Sequence, residues 1–201
     1  MTLVKICGMT RAEDVDCAVA NGADMIGFVV VAWSPRAVDA ITVRSLRNRV
    51  PETIETILVL ANETMEQAAE VLGLTGCDRV QVYGPHAAAT QQALGDRAIV
   101  ARRLPDEEVD NADPILLDRA FGDEPSHAAL CEHWTTVAAL VESGRRVLLS
   151  GALTPDNVAE AVATAHPWAV DVARGVEQSP GIKDHVRLAA FMAATREART
   201  A

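Results

Sequence analysis

Three side chains capable of chemistry follow apolar runs of this chain: a thiol, a carboxyl and a guanidinium. Cys7 closes "LVKIC", Asp118 closes "PILLD", and Arg36 follows "SP" just past the run at Met25–Val31. A thiol and a carboxyl facing each other across one site form a base and acid pair suited to proton transfer. Alternation along a strand points Lys5 to the same face as Cys7. The ammonium is therefore expected to hold the thiol below its ordinary pKa and favour the thiolate. Asp118 follows three apolar residues, so burying it without a task or partner would be costly. The planar fork of Arg36 suits a carboxylate of the substrate.

Other polar residues end the remaining apolar runs. Asn62 follows the third, Gln81 and Tyr83 close the fourth, and Arg102 closes the fifth. Ser150 and Gly151 end the seventh, and Asp171, Ala173, Arg174 and Gly175 follow the eighth. The stretches "SGALTPDN" and "ARGVEQSPG" are small-residue loops ahead of helices, which allow backbone amides to approach a phosphate closely. Arg174 would add a full positive charge there.

The elements that must position these groups alternate strictly. Strands are expected at Leu3–Gly8, Met25–Val31, Glu55–Leu60, Arg79–Tyr83, Ala98–Arg102, Ile115–Asp118, Val147–Ser150 and Ala169–Val172. Runs such as "ILLD" and "VLLS" lack polar alternation, as expected of parallel strands covered on both faces. Helical patterns fall at Glu13–Ala20, Thr42–Arg49, Met65–Leu72, Ala87–Leu94, Ala128–Ser143, Asp156–Ala165 and Asp184–Arg199. Thr154 is expected to cap the helix that Pro155 begins. Eight strands in βα alternation favour a closed (β/α)8 TIM barrel of the α/β class over an open sheet. Residues 1–201 read as one barrel domain. The acidic, proline-flanked "LPDEEVDNADP" implies that the fifth helix is short or missing. In such a barrel the C-terminal ends of the strands carry the active site, which places all the residues named above on one rim.

Bulk composition narrows the partners. The 201 residues carry a net charge of -10, which argues against nucleic acid, whereas a local cationic pocket for a small anion is still compatible. No apolar stretch reaches membrane-spanning length and no signal peptide is evident, so the expected location is the cytoplasm. The four cysteines, at 7, 17, 77 and 131, show no paired spacing and read as free thiols with no metal site. With 3% aromatic residues there is no evident interface patch, and monomer and homodimer are both compatible.

These motifs resemble one family. "VKICGMTRAEDVDCAVANGADMIGFVVVAWSPRAV" is similar to the N-terminal signature of phosphoribosylanthranilate isomerase, a tryptophan-pathway enzyme. "VQVYG", "SGALTPDNVAEAV" and "VDVARGVEQSPGIKD" resemble its fourth-, seventh- and eighth-strand motifs, so the likeness runs from Val4 to about Phe191. The resemblance implies an Amadori rearrangement of a phosphoribosylated anthranilate, without metal or organic cofactor. It implies Asp118 as general acid at the ring oxygen, Cys7 as general base at the sugar C2', and Arg36 on the anthranilate carboxylate. Lys5, Gln81, Tyr83, Ser150, Gly151, Ala173, Arg174 and Gly175 complete the expected substrate contacts. The partner would be a small molecule bearing an anthranilate-type carboxylate and a sugar phosphate.

The chain also departs from the family pattern. Tyr83 stands where His is usual, and Arg119 where Ser or Thr follows the aspartate. The seventh and eighth loops read "SGAL" and "VARG" in place of "AGGL" and "VSSG". The glycine-rich sixth loop is replaced by "FGDEPSHAALCEHW", where Asp123 and Glu124 would oppose a phosphate if they point inward. A paralogue acting on a related aminosugar, and a barrel that binds without catalysis, are the alternative readings.

Overall fold

A computed structural model describes residues 1–119 and 124–198. The eight apolar runs become β1 (Leu3–Cys7), β2 (Met25–Val29), β3 (Glu55–Ala61), β4 (Arg79–Tyr83), β5 (Ala98–Leu104), β6 (Ile115–Arg119), β7 (Val147–Leu149) and β8 (Ala169–Val172). Each pairs in parallel with its sequence neighbours, and β8 pairs back onto β1 to close the barrel, with Lys5 beside Asp171.

Around them lie α1 (Ala12–Ala20), α2 (Ala40–Arg47), α3 (Met65–Thr75), α4 (Ala87–Leu94), α5 (His127–Glu142), α6 (Val158–Ala165) and α7 (His185–Ala198). Residues 105–114, between β5 and β6, run as turns and bends with no helix, as the acidic segment there implied. After β8 the chain adds a short antiparallel hairpin, β9 (Glu177–Ser179) with β10 (Ile182–Lys183), which the sequence pattern did not announce. No helix among the described residues is long and apolar enough to cross a membrane.

Two apolar cores follow from strand alternation. Outward residues such as Val4, Ile6, Phe28, Leu58, Val82, Val100, Leu117, Leu149 and Val170 pack under the helices. Inward residues such as Met25, Ile57, Val59, Ile99, Leu116, Leu148 and Ala169 fill the barrel. Because both faces of every strand are buried, the strands could only read as continuous apolar runs. The polar residues interrupting them are the ones the barrel uses.

Local signals set several boundaries. Asp39 caps α2 by accepting from the Thr42 N–H, and Thr64 forms a capping box with Gln67 at α3. The sixth helix differs from expectation, for it begins at Val158 and Thr154 does not cap it. Instead the Asn157 amide ties the preceding loop together, accepting from Thr154 N at 2.8 Å and donating to the Ala152 carbonyl at 3.0 Å. An amide side chain that can serve both a free N–H and a free C=O here takes the position expected for a hydroxyl cap.

Candidate active site

The strands' C-terminal ends surround a cavity of about 880 Å³. Its wall includes Cys7, Arg36, Gln81, Tyr83, Asp118, Ser150, Gly151, Ala173, Arg174 and Gly175. Ten of the eleven expected site residues are thus gathered at one mouth.

Lys5 is the exception. It points inward below the mouth, is fully buried, and does not line the cavity. Its Nζ donates to Asp171 Oδ1 at 2.9 Å and to Gln81 Oε1 at 2.8 Å. The side chain that was expected to touch substrate is instead a buried cation held by its own partners. Burial alone would lower its pKa, but the charge and hydrogen bond of Asp171 and the neighbouring Cys7 raise it.

Cys7 sits above Lys5 on the same strand face, and the space for both comes from a neighbour. A Cβ at Gly27 would lie 2.8 Å from Cys7 Sγ and 3.1 Å from Lys5 Cε. The expected depression of the thiol does not occur. Burial pushes the Cys7 thiol above its ordinary value, and the opposing pull of Lys5 offsets only part of that rise. A sequence shows the adjacent charge but not the loss of water around the sulfur, and here the second effect wins.

Asp118 ends β6 on the far side of the mouth. Its Oδ1 accepts from the Arg119 backbone N–H at 2.8 Å and its Oδ2 from the Tyr83 hydroxyl at 3.2 Å. The hydroxyl in turn accepts from Gln81 Nε2 at 3.2 Å. Burial raises the carboxyl above its usual range, the Arg119 N–H pulls it back, and the Asp171 charge adds to the rise. A carboxyl lifted in this way retains a proton to higher pH, which suits an acid. Burial also pushes the Tyr83 phenol well above its ordinary value, so it stays a hydroxyl.

Arg36 reaches the mouth from the segment between β2 and α2, and its fork is already engaged. Nε donates to Glu177 Oε1 at 2.9 Å and Nη2 to Glu177 Oε2 at 2.6 Å. Three of its five N–H donors are left by this bidentate pair. Burial would raise Glu177, but Arg36 and Lys183 hold it below the usual carboxylate range. Lys183 is itself buried, donating to Glu177 Oε1 at 3.0 Å and to the Cys7 carbonyl at 2.6 Å. The β9–β10 hairpin thereby braces both the arginine and the strand bearing the thiol.

The corner between the loops after β7 and β8 is built differently. A Cβ at Gly175 would lie 1.8 Å from the Leu153 carbonyl oxygen, so only glycine lets the loops after β7 and β8 touch. Arg174 is exposed at the mouth, as is Arg187 from the first turn of α7. The Arg119 guanidinium is drawn off to the Ala129 carbonyl at 2.8 Å. Glu124 lines the cavity, while Asp123 lies outside the described residues.

Several contributors escaped the sequence reading. Arg102 faces outward and pairs with Asp110, while the next residue, Arg103, lines the mouth and stacks 4.2 Å over the Tyr83 ring. In "AIVARRL" the apolar residues occupy both parities, so the sequence alone does not separate them. Glu177 and Lys183 were visible within "GVEQSPGIKD", but their mutual contact needs the hairpin. Gly27 inside "MIGF" carried a usable signal, since a glycine in a strand often marks a close approach.

Among the described residues, one group could gather metal ligands: His127, Cys131 and Glu160, on the outer faces of α5 and α6. Cys131 Sγ lies 3.6 and 3.9 Å from the two ring nitrogens of His127, too evenly spaced to sit along either lone pair. Glu160 meets Nε2 at 3.1 Å. None of the three residues lines the mouth.

Comparison with known proteins agrees with the geometry. The family description "PRAI: N-(5'phosphoribosyl)anthranilate (PRA) isomerase" matches residues 4–194. The N-(5'-phosphoribosyl)anthranilate isomerase of Pseudomonas fluorescens (strain Pf0-1) is 36% identical over 200 residues, covering 96% of this chain and 97% of the relative. That of Haloarcula marismortui is 35% identical over 209 residues, covering 98% of each. The crystal structure of phosphoribosyl anthranilate isomerase from Thermotoga maritima superposes with a TM-score of 0.86 at 29% identity, covering 98% of this chain and 100% of that one. A crystal structure of a phosphoribosyl anthranilate isomerase in complex with reduced 1-(o-carboxyphenylamino)-1-deoxyribulose 5-phosphate gives a TM-score of 0.82 at 28% identity, with 98% of this chain and 100% of that one covered.

Proposed function

The chain belongs to the N-(5'-phosphoribosyl)anthranilate isomerase family, and we propose that Cys7 and Asp118 carry out its Amadori rearrangement. The substrate is N-(5'-phosphoribosyl)anthranilate and the product 1-(2-carboxyphenylamino)-1-deoxyribulose 5-phosphate. The observation that carries this reading is the pairing of a buried thiol and a half-buried carboxyl across one mouth.

Asp118 gives its proton to the furanose ring oxygen as the bond from that oxygen to C1' breaks, leaving a protonated Schiff base between C1' and the anthranilate nitrogen. The Cys7 thiolate then takes the C2' proton, and the electron pair released forms the enolamine. Loss of the enol proton and protonation at C1' give the ketone. The protein ends one proton richer at Cys7 and one poorer at Asp118, so a proton must return to reset it.

Burial lifts both groups, and a thiol starts above a carboxyl. The working form pairs a thiolate with a protonated carboxyl, one of two tautomers that share a single proton. The rate should rise with pH through the titration of Asp118, hold level, and fall through that of Cys7. The unused donors of Arg36 face the anthranilate carboxylate, with Glu177 holding the fork in place. Arg174, Arg187 and the amides of the touching loops after β7 and β8 supply the phosphate corner. The reaction would take place in the cytoplasm.

Complementation of a tryptophan auxotroph lacking this isomerase tests the substrate. Growth is the expected result. Folded protein that fails to complement would point to a related aminosugar, and full activity in both Cys7→Ala and Asp118→Asn would remove the assigned roles.

A further inference from the structure

We propose that Tyr83 is the positioning residue for Asp118, and that Lys5 fixes its hydrogen bond through Gln81, joining base and acid by one directional chain. The inference rests on the isomerase reading and adds to it a residue at which this chain departs from the resemblance described above.

The direction of the chain is forced by what each group can do. An ammonium has three donors and no acceptor, so Lys5 Nζ must meet the carbonyl oxygen of Gln81, at 2.8 Å. That fixes which way round the amide lies, and its NH2 is left against the Tyr83 hydroxyl at 3.2 Å. An amide NH2 only donates, so the hydroxyl oxygen accepts. The single phenolic proton is then free to be donated to Asp118 Oδ2, 3.2 Å away. Reversing either of the first two links would set donor against donor.

Lys5, Gln81 and Tyr83 are 0%, 1% and 8% exposed, so no bulk water substitutes for a missing member. Bonds aligned head to tail in a dry interior polarise one another. At the other end of the chain, Cys7 lies against the same ammonium. A proton gained or lost at the thiol is therefore felt at Asp118 through three side chains.

Other groups act on the same carboxyl and must be held constant. Arg103 of β5 stacks on Tyr83, Arg119 of β6 donates through its backbone, and Asp171 of β8 faces across the barrel. Glu107 and Glu124 share the cavity wall. Cys7 is faced by Lys5, Asp171 and Lys183.

The test is a carboxyl ¹³C titration of Asp118 in the full chain, alongside the pH dependence of kcat/KM. Tyr83→Phe removes the donor to the carboxylate, so the midpoint should rise by roughly one pH unit, and the acid limb of kcat/KM should move up with it. Gln81→Leu keeps the hydroxyl but removes its donor, and should shift the midpoint in the same direction by about half as much. It carries the test if Tyr83→Phe does not fold. A midpoint unchanged in whichever variant folds overturns the proposal even in an active enzyme. Because the titration needs no turnover, a shifted midpoint in a protein lacking isomerase activity would overturn the reaction assignment while leaving the chain intact.

Discussion

The two sides of the barrel mouth are held by opposite means. On the thiol and carboxyl side, Asp171, Lys5, Gln81 and Tyr83 are each buried and each bonded to the next. On the side proposed for phosphate, Arg174 and Arg187 are exposed, and the built part is main chain, two loops pressed together at Gly175. Chemistry that moves protons needs atoms placed to a fraction of an ångström and shielded from water. Anchoring a charged group tolerates looser placement, because charge acts over distance and many amides can share it. The departures from the family pattern at the seventh and eighth loops fall on the tolerant side, whereas Tyr83 is a departure embedded in the demanding side.

The sharpest way to break that contrast is at the chemistry itself. Asp118→Asn and Cys7→Ala should each lower kcat/KM by about 10²- to 10⁴-fold with thermal unfolding little changed, measured by steady-state kinetics and calorimetry. Next comes the buried cation: Lys5→Met leaves Asp171 without its partner and should lose about 3–5 kcal/mol in urea unfolding. If it lost under about 1 kcal/mol, the demanding side would be no more constrained than the loops. Gly27→Ala drives a methyl toward the sulfur and the lysine stem, with an expected cost of about 1–3 kcal/mol and a fall in kcat.

Changes on the tolerant side should be smaller. Arg174→Ala and Arg187→Ala should each raise KM several-fold, roughly 1 kcal/mol of anchoring, with kcat nearly kept; a fall in kcat alone would erase the distinction between the two sides. At Glu177 the effect is read as a change in pH dependence. Its folded pKa is depressed, so it stabilises the fold above its unfolded pKa, and that contribution is lost as pH falls through the folded one. Glu177→Gln should therefore show a shallower loss of stability on acidification, followed by chemical denaturation at successive pH values.

The barrel was legible because parallel strands buried on both faces leave unbroken apolar runs, and the polar interruptions at Cys7, Asp118 and Gln81 mark the inward positions. The missing fifth helix was legible from the acidic, proline-bounded stretch before β6. Two kinds of information were not. Which of two consecutive arginines, Arg102 or Arg103, faces the mouth depends on strand parity near a strand end. The standing of Lys5 depends on an aspartate 166 residues away that captures it before any substrate can. The sign of the Cys7 shift failed for a related reason, since solvent exclusion is a property of the closed barrel and not of "VKICGMT".

The closing seam between β8 and β1 also bears on the order of events in folding. Lys5 and Asp171 are 166 positions apart, Asp14 and Lys183 are 169, and Arg36 and Glu177 are 141. Contacts of such span are entropically slow to form, whereas the helices need only near neighbours. In a refolding experiment, helical signal should recover first and turnover last, when the final strand docks. During synthesis Cys7 precedes Asp171 and Lys183 by most of the barrel, so the surroundings proposed to make its thiol a base are complete only after those two have followed.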